Sequence, residues 1–279
     1  MFRLEGPSRT LREAAPDAYA GAYEAVTTVG DTVTVLLLVS LVYWFGSRRR
    51  AVAVTIGYSL AALSLVLALK SVFGLPRPPE SVWLIETEGM GFPSGHATAA
   101  AVVYGGLAHA HDWHERLDRA VPVAALILAI GLSRVVLGVH YLGDIVAGFA
   151  LGLTVVVVVT RISDGEPVRS FALAAACAVA AVTLAGLDGY APLALGGTLG
   201  GLLVSVRFDA IPKGDDRTRA ALAVVLGLLA VVPALVVLAA EDPNIVAAVA
   251  ANAVAVAGVV GAPLVGERLL TVARVRSGA

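Results

Sequence analysis

Nine apolar runs dominate this chain of 279 residues, and they leave it one kind of solvent. They cover residues 27–46, 51–69, 95–111, 120–133, 144–160, 170–187, 190–206, 220–240 and 243–265. A helix needs roughly 20 apolar residues to cross a bilayer, and short charged connections separate the runs. The expectation is an all-α, polytopic transmembrane bundle of about nine spans. Composition agrees: 15% of the residues are charged, against about 25% in a soluble domain. The formal net charge of -1 leaves no electrostatic footprint for a nucleic acid.

The charges alternate along the chain. Arg48, Arg49 and Arg50, then Arg116 and Arg119, Arg161 and Arg169, and Arg207, Lys213, Arg217 and Arg219 fall in alternate loops. Arg268, Arg274 and Arg276 close the tail. The opposite loops carry Glu80, Glu86, Glu88, Asp188, Glu241 and Asp242, and the cations near them are Lys70, Arg77 and Arg134. By the positive-inside rule the second set of loops faces outward, and these three cations with it.

Span length divides the chain. Between Arg119 and Arg134 lie 14 uncharged residues, and between Asp144 and Arg161 lie 16. At about 1.5 Å per residue these cover roughly 21–24 Å, short of a hydrocarbon core of about 30 Å. His96 and Asp112 bracket a third short run of 15 residues. Three short helices with polar residues at one end predict a pocket sunk below the outer surface. The last four runs lack internal charge and read as ordinary lipid-embedded helices. The division is therefore an N-terminal segment 1–26, a five-span core over 27–161, and a four-span region over 162–279, with the boundary in the loop at 162–169. The N-terminal segment lacks the apolar stretch of a signal peptide. Leu11, Ala14, Ala15, Ala18 and Ala22 form a weak apolar stripe interrupted by Pro16, which reads as an interfacial helix or a loosely ordered arm. Cys177, the single cysteine, reads as an inert buried thiol.

Charged groups at membrane depth are functional candidates by default, and here they fall in three short strings. Lys70 ends the second run; Gly74 and Pro76 break the helix, and Pro78 biases Arg77 towards extended backbone. A forked guanidinium and a point-charge ammonium both suit phosphate. In Pro93-Ser94-Gly95-His96, Ser94 is an N-cap candidate with Ala97 where a capping box would place Glu or Gln. A helix N-terminus with uncommitted N–H groups is an anion site. In the third string Arg134 supplies another cation, and His140 and Asp144 are spaced to share a helical face. A carboxylate there orients an imidazole for nucleophilic work. Arg134 and His140 converge only if the chain turns between them, and Gly138 is placed to turn it. Each string alone has an ordinary structural explanation; the three in this order on one membrane face do not share one.

The strings Lys70-x6-Arg77-Pro78, Pro93-Ser94-Gly95-His96 and Ser133-Arg134-x5-His140-x3-Asp144 resemble the tripartite signature of the type 2 phosphatidic acid phosphatase superfamily, without departure at any signature position. The likeness covers residues from about 27 to 161. It implies a helical membrane phosphatase that hydrolyses lipid or polyprenyl phosphomonoesters or diphosphates without a metal or other cofactor. His140 would be the nucleophile, Asp144 its orienting acid and His96 the general acid and base. Lys70, Arg77, Ser94, Gly95 and Arg134 would bind the phosphoryl oxygens. Family members usually have one more span before the matched part, so the N-terminal segment and residues 162–279 are not explained by it. Two other classes of function fit the same strings: a lipid phosphotransferase with an acceptor other than water, and a non-catalytic transporter or scaffold for anionic lipid. Substrate identity and oligomeric state stay open. His109, His111, Asp112 and His114 have the look of a metal cluster, yet read better as an interfacial histidine–tryptophan belt around Trp113. Gly148 with Gly152 and Gly196 with Gly200 fit close helix packing.

Overall fold

The computed structural model describes residues 2–187, 190–207, 217–238 and 244–277. Asp188, Lys213, Glu241 and Asp242, which the charge pattern assigns to loops, lie outside the described residues, as do the side chains of Arg274 and Arg276. Within them the chain forms eleven α-helices and no strand: α1 (Glu5–Ala14), α2 (Ala20–Thr28), α3 (Thr32–Phe45), α4 (Arg49–Phe73), α5 (Gly95–Ala110), α6 (Leu117–Val136), α7 (Leu142–Ser163), α8 (Pro167–Ala185), α9 (Ala191–Ser205), α10 (Arg217–Leu238) and α11 (Ile245–Ser277).

Each of the nine apolar runs corresponds to a helix, with α2 and α3 sharing the first. Six helices are long and apolar enough to cross a membrane, and α2 with α3 makes a seventh if the pair, bent by 45°, counts as one span. The remaining two, α5 and α9, have 16 and 15 residues. The expectation of three short helices holds for α5 alone. Helices α6 and α7 extend to 20 and 22 residues because they take their flanking charges into the helix. Arg119, Arg134, Asp144 and Arg161 all have helical backbone, which a count of uncharged residues leaves out. Leu203, Leu229, Val236 and Val246 are among the large apolar side chains left on outer faces, where a bilayer would cover them. The protein is multi-pass.

Helices α4, α5, α6 and α7 pack around one another, and α8 lies along α4. Ser170 Oγ donates to the Val54 carbonyl at 3.0 Å, and Gly57 leaves room for it: a Cβ there would stand 2.1 Å from that oxygen. Gly148 and Gly152 of α7 face α5, and Gly196 and Gly200 of α9 face the backbone of α11. The small-residue pairs therefore serve packing within the chain. A proline explains how α3 reaches α11. Pro263 cannot donate to the Val259 carbonyl one turn earlier, and Trp44 Nε1 donates to that oxygen at 2.9 Å instead. Tyr43 Oη donates to the adjacent Val260 carbonyl at 2.8 Å, and Gly227 of α10 clears space for the Trp44 ring.

The N-terminal segment is ordered on the bundle. Helix α1 stops at Ala14, just before Pro16, and packs on α6 and α7. Asp31 starts α3 after the bend at Val29–Gly30, and the bend sits tightly on α6, where a Cβ on Gly30 would lie 2.4 Å from Ile130 Cγ2. Tyr104 Oη donates to the Val29 carbonyl at 2.7 Å and pins the bend to α5.

Candidate active site

The C-terminal ends of α4 and α6 and the N-terminal ends of α5 and α7 meet at one end of the bundle, and the eight residues singled out in the sequence lie there. Helix α4 continues beyond Lys70 to Phe73, where Gly74 closes it in the left-handed conformation at φ 56°. The loop that follows carries Arg77. Carbonyls of its returning limb hold both cations: Lys70 Nζ donates to Met90, and Arg77 donates to Glu88 and Gly89, the shortest at 2.8 Å.

Helix α6 ends through the turn expected at Gly138, which has φ 76°. The amides of Val139 and His140 both return to the Arg134 carbonyl at 3.2 Å. Gly138 is needed twice over, because a Cβ there would stand 1.9 Å from the Val82 carbonyl oxygen. One part of the expectation changes. His140 and Asp144 do not share a helical face: His140 lies in the turn before α7, and Asp144 is the third residue of that helix. Asp144 Oδ2 accepts from the Tyr141 amide at 2.9 Å, so the carboxylate caps its own helix.

The pair nonetheless meets. His140 Nδ1 lies 3.5 Å from Asp144 Oδ2. That is too long for a firm hydrogen bond, and Nδ1 makes none with any other described residue. On the other side of the ring, Arg77 Nη1 is 3.0 Å from His140 Nε2 and also donates to the Val139 carbonyl at 3.1 Å. Arg77 has only donors, so Nε2 accepts, and the proton of the neutral ring belongs on Nδ1, facing Asp144. His140 is 1% exposed and Asp144 0%. Burial pushes the His140 pKa well below its ordinary value; Asp144 opposes this, and Arg77 and Arg134 add to it. The imidazole is thus held neutral with its Nε2 lone pair towards the cations. Burial also lowers the Arg77 pKa, and Asp144 works against it.

Ser94 caps α5, its hydroxyl accepting from the Ala97 amide at 3.4 Å, and its own amide donates to the Asp144 carbonyl at 3.1 Å. This bond ties the starts of α5 and α7. A Cβ on Gly95 would meet only Val66, at 3.9 Å, so the terminus is open to an approaching group. Arg134 is 4% exposed; its Nη1 donates to Thr27 Oγ1 at 3.1 Å, while its buried Nε has no partner among the described residues. Lys70, Arg77 and Arg134 therefore rest on carbonyls, an imidazole and a hydroxyl. None of the three is matched by a carboxylate within ion-pair distance among the described residues. A site with uncompensated cations and an open helix N-terminus is built for an anion.

Two carboxylate pairings had no counterpart in the sequence reading. His96 Nε2 meets Asp31 Oδ1 at 2.5 Å, across the α2–α3 bend. Asp144 is gripped by Arg3, through Nε to Oδ1 and Nη2 to Oδ2, both at 2.9 Å. Asp31 looks like an ordinary helix start between apolar stretches, and Arg3 sits in a polar segment with no motif; neither carries a signal that spacing could find. At the opposite end of the bundle Asp112 pairs with Arg48, and the His109 and His114 rings lie 5.1 Å apart, tilted by 44° to one another.

The architecture and this site define a polytopic helical membrane protein with a buried histidine among unpaired cations at one end. Residues 51–166 match the PAP2 superfamily, and the chain carries a PAP2 superfamily domain there. Over 81 residues it is 37% identical to phosphatidylglycerophosphatase B of Bacillus subtilis (strain 168), covering 27% of this chain and 40% of that one. Over 125 residues it is 31% identical to decaprenylphosphoryl-5-phosphoribose phosphatase of Mycobacterium tuberculosis, covering 43% of this chain and 65% of the relative. It thus spans less than two thirds of the length of either curated relative. A solved structure, the first transmembrane PAP2 type phosphatidylglycerolphosphate phosphatase from Bacillus subtilis, aligns with a TM-score of 0.48 at 22% identity, over 56% of this chain and 82% of that one.

Proposed function

We propose that this protein is an integral membrane lipid-phosphate phosphatase acting through a phosphohistidine on His140, without a metal. The observation that carries the reading is the set of uncompensated cations beside a neutral, oriented imidazole. Phosphoryl transfer asks a protein mostly for position and charge neutralisation. In the first step His140 Nε2 attacks phosphorus, the P–N bond forms and the ester P–O bond breaks. The leaving oxygen takes a proton from His96. In the second step water attacks phosphorus, gives its proton to His96, and the P–N bond breaks with its electron pair returning to Nε2. Asp144 faces Nδ1 throughout. Lys70, Arg77, Arg134 and the N-terminus of α5 at Ser94 and Gly95 hold the phosphoryl oxygens.

Both relatives are named for phosphates carried on membrane lipids, and a site at the end of a bundle favours a substrate whose tail stays in the bilayer. The Arg48–Asp112 and Arg50–Glu166 pairs mark the end opposite the site. Arginine-rich loops at that end favour a site on the extracytoplasmic side. The test is phosphate release from a panel of phosphatidate, glycerophosphate-linked and polyprenyl phosphates, with wild type and His140→Ala in parallel. Turnover of at least one lipid by wild type and its abolition in His140→Ala are expected. Release unaffected by the substitution would leave a site that only binds anionic lipid, and product that appears only with an added acceptor would make the protein a phosphotransferase.

A further inference from the structure

The grip of Arg3 on Asp144 goes beyond what the signature residues explain. Arg3 reaches a carboxylate 141 positions away in the sequence and is itself 7% exposed. Its guanidinium spends its donors on three acceptors: both oxygens of Asp144 at 2.9 Å, and the carbonyl of Pro76 through Nη1 at 2.7 Å. The guanidinium carbon Cζ lies over the Tyr141 ring, 4.5 Å from its centroid. The backbone joins in, since the Arg3 carbonyl accepts from the Gly143 amide at 3.0 Å. The surroundings are cut to fit. A Cβ on Gly143 would stand 2.5 Å from the Arg3 Cα, and one on Gly91 would stand 2.8 Å from Arg3 Nη2. Further along the arm, Ser8 Oγ accepts from the Leu142 amide at 2.8 Å, and the Phe2 ring packs edge-on against Phe92.

This geometry has a mechanical meaning. Pro76 precedes Arg77, the residue against His140 Nε2, and Asp144 faces His140 Nδ1. One guanidinium therefore ties together the two sides between which the His140 ring is held. A bidentate fork also fixes the plane of the carboxylate in a way a single bond cannot. With Oδ1 and Oδ2 both taken by Arg3 and Oδ2 also accepting from the Tyr141 amide, the carboxylate has one orientation. That orientation sets Oδ2 against His140.

We propose, resting on the phosphatase reading above, that Arg3 is a positioning residue for the reaction: it fixes the Asp144 carboxylate against His140, so the N-terminal segment is part of the active site. Arg3 touches no reacting atom and acts through Asp144. Its removal should therefore reach the rate of the chemical step and leave substrate binding nearly alone.

The experiment uses the full chain tagged at its C-terminus, purified in detergent, with single-turnover and steady-state hydrolysis of a radiolabelled lipid phosphate that wild type turns over. Arg3→Ala should lower kcat by about 10²-fold, the cost of a misplacement of about 1 Å, with KM nearly unchanged. Arg3→Lys, which keeps the charge but not the fork, should recover part of the loss. In an Asp144→Asn background, adding Arg3→Ala should change kcat by no more than about twofold, the ordinary error of additivity. The proposal is overturned if Arg3→Ala keeps the wild-type kcat, if its loss falls on KM, or if it costs the same factor in both backgrounds, as a merely structural arm would. Should Arg3→Ala not yield folded protein, Arg3→Lys decides: wild-type kcat overturns the proposal, and a loss that vanishes in the Asp144→Asn background supports it. His140→Ala distinguishes the two levels. If it hydrolyses like wild type, the phosphatase reading has failed; if it is inactive while Arg3→Ala is fully active, only the role of Arg3 has.

Discussion

Gly148 offers the sharpest test of how the two halves of the site are held together. It lies one turn beyond Asp144 on α7 and faces the start of α5. A Cβ at this position would stand 2.7 Å from the Ser94 carbonyl oxygen, 2.9 Å from Ala97 Cβ and 3.2 Å from Thr98 Oγ1. The Ser94 carbonyl has no slack, because it accepts from the Thr98 amide at 3.1 Å and the Thr98 hydroxyl at 2.9 Å. Restoring ordinary contact near 3.4 Å requires α5 to retreat by about 0.5–0.7 Å. Overpacking of this kind costs about 1–3 kcal/mol. It also carries Ser94, Gly95 and His96 away from His140, and since about 1 Å of misplacement costs about 10²-fold, a loss of about 10-fold in kcat is expected for Gly148→Ala. Two companions separate position from packing. Gly152→Ala meets the same helix just as closely, with Ala101 Cβ at 2.7 Å and the Thr98 carbonyl at 2.9 Å. It stands a further turn from the site, so its stability loss should match while its kcat loss is smaller. Gly105→Ala on α5 has nothing within 4 Å and should be neutral or stabilising. The assay is phosphate release per folded molecule, alongside thermal unfolding in detergent. Wild-type kcat in a folded Gly148→Ala, or equal kcat losses at positions 148 and 152, would refute the reasoning.

The Asp31–His96 contact predicts that Asp31→Asn lowers kcat by about 10-fold, a fraction of the roughly 10²–10⁴ that general acid–base catalysis supplies; wild-type rates would show that the contact has no part in proton transfer. Activity should persist in excess chelator, because Lys70, Arg77, Arg134 and the α5 terminus supply the charge a metal would otherwise bring; loss restored by a divalent ion would contradict this. Ending the chain after residue 168 removes Ser170 and the Val259 and Val260 carbonyls that Trp44 and Tyr43 use. The shortened protein should fail to extract as folded enzyme, and full activity from it would show that α8–α11 are accessory.

The three signature strings were readable because their chemistry is local. Pro93 to His96 specify a helix start within four residues, and Gly138 forecasts its own turn because no other residue suits a positive φ under a carbonyl. The apolar runs were equally readable as helices, but not their ends. Arg134 and Asp144 are in helical conformation despite their charge, because each finds an internal partner, Thr27 for one and the Tyr141 amide for the other. Counting from charge to charge therefore shortened α6 and α7. The same cause misplaced His140. Spacing of four suggests one helical face, but Asp144 spends its carboxylate on capping α7, and that fixes the helix start after His140.

What spacing could not show is where each catalytic candidate finds its partner. Every signature residue lies inside residues 51–166, the stretch that matches the PAP2 superfamily. Three of their partners do not: Arg3 for Asp144, Thr27 for Arg134 and Asp31 for His96. All three come from the first 31 residues, two of them flanking a single bend packed against α6. A buried carboxylate or guanidinium left without such a partner is costly enough to move or change its protonation. The matched stretch thus holds the signature residues, and three residues before it, Arg3, Thr27 and Asp31, hold three of them in place. On these contacts, residues 51–166 alone would hold the full signature and an incomplete site.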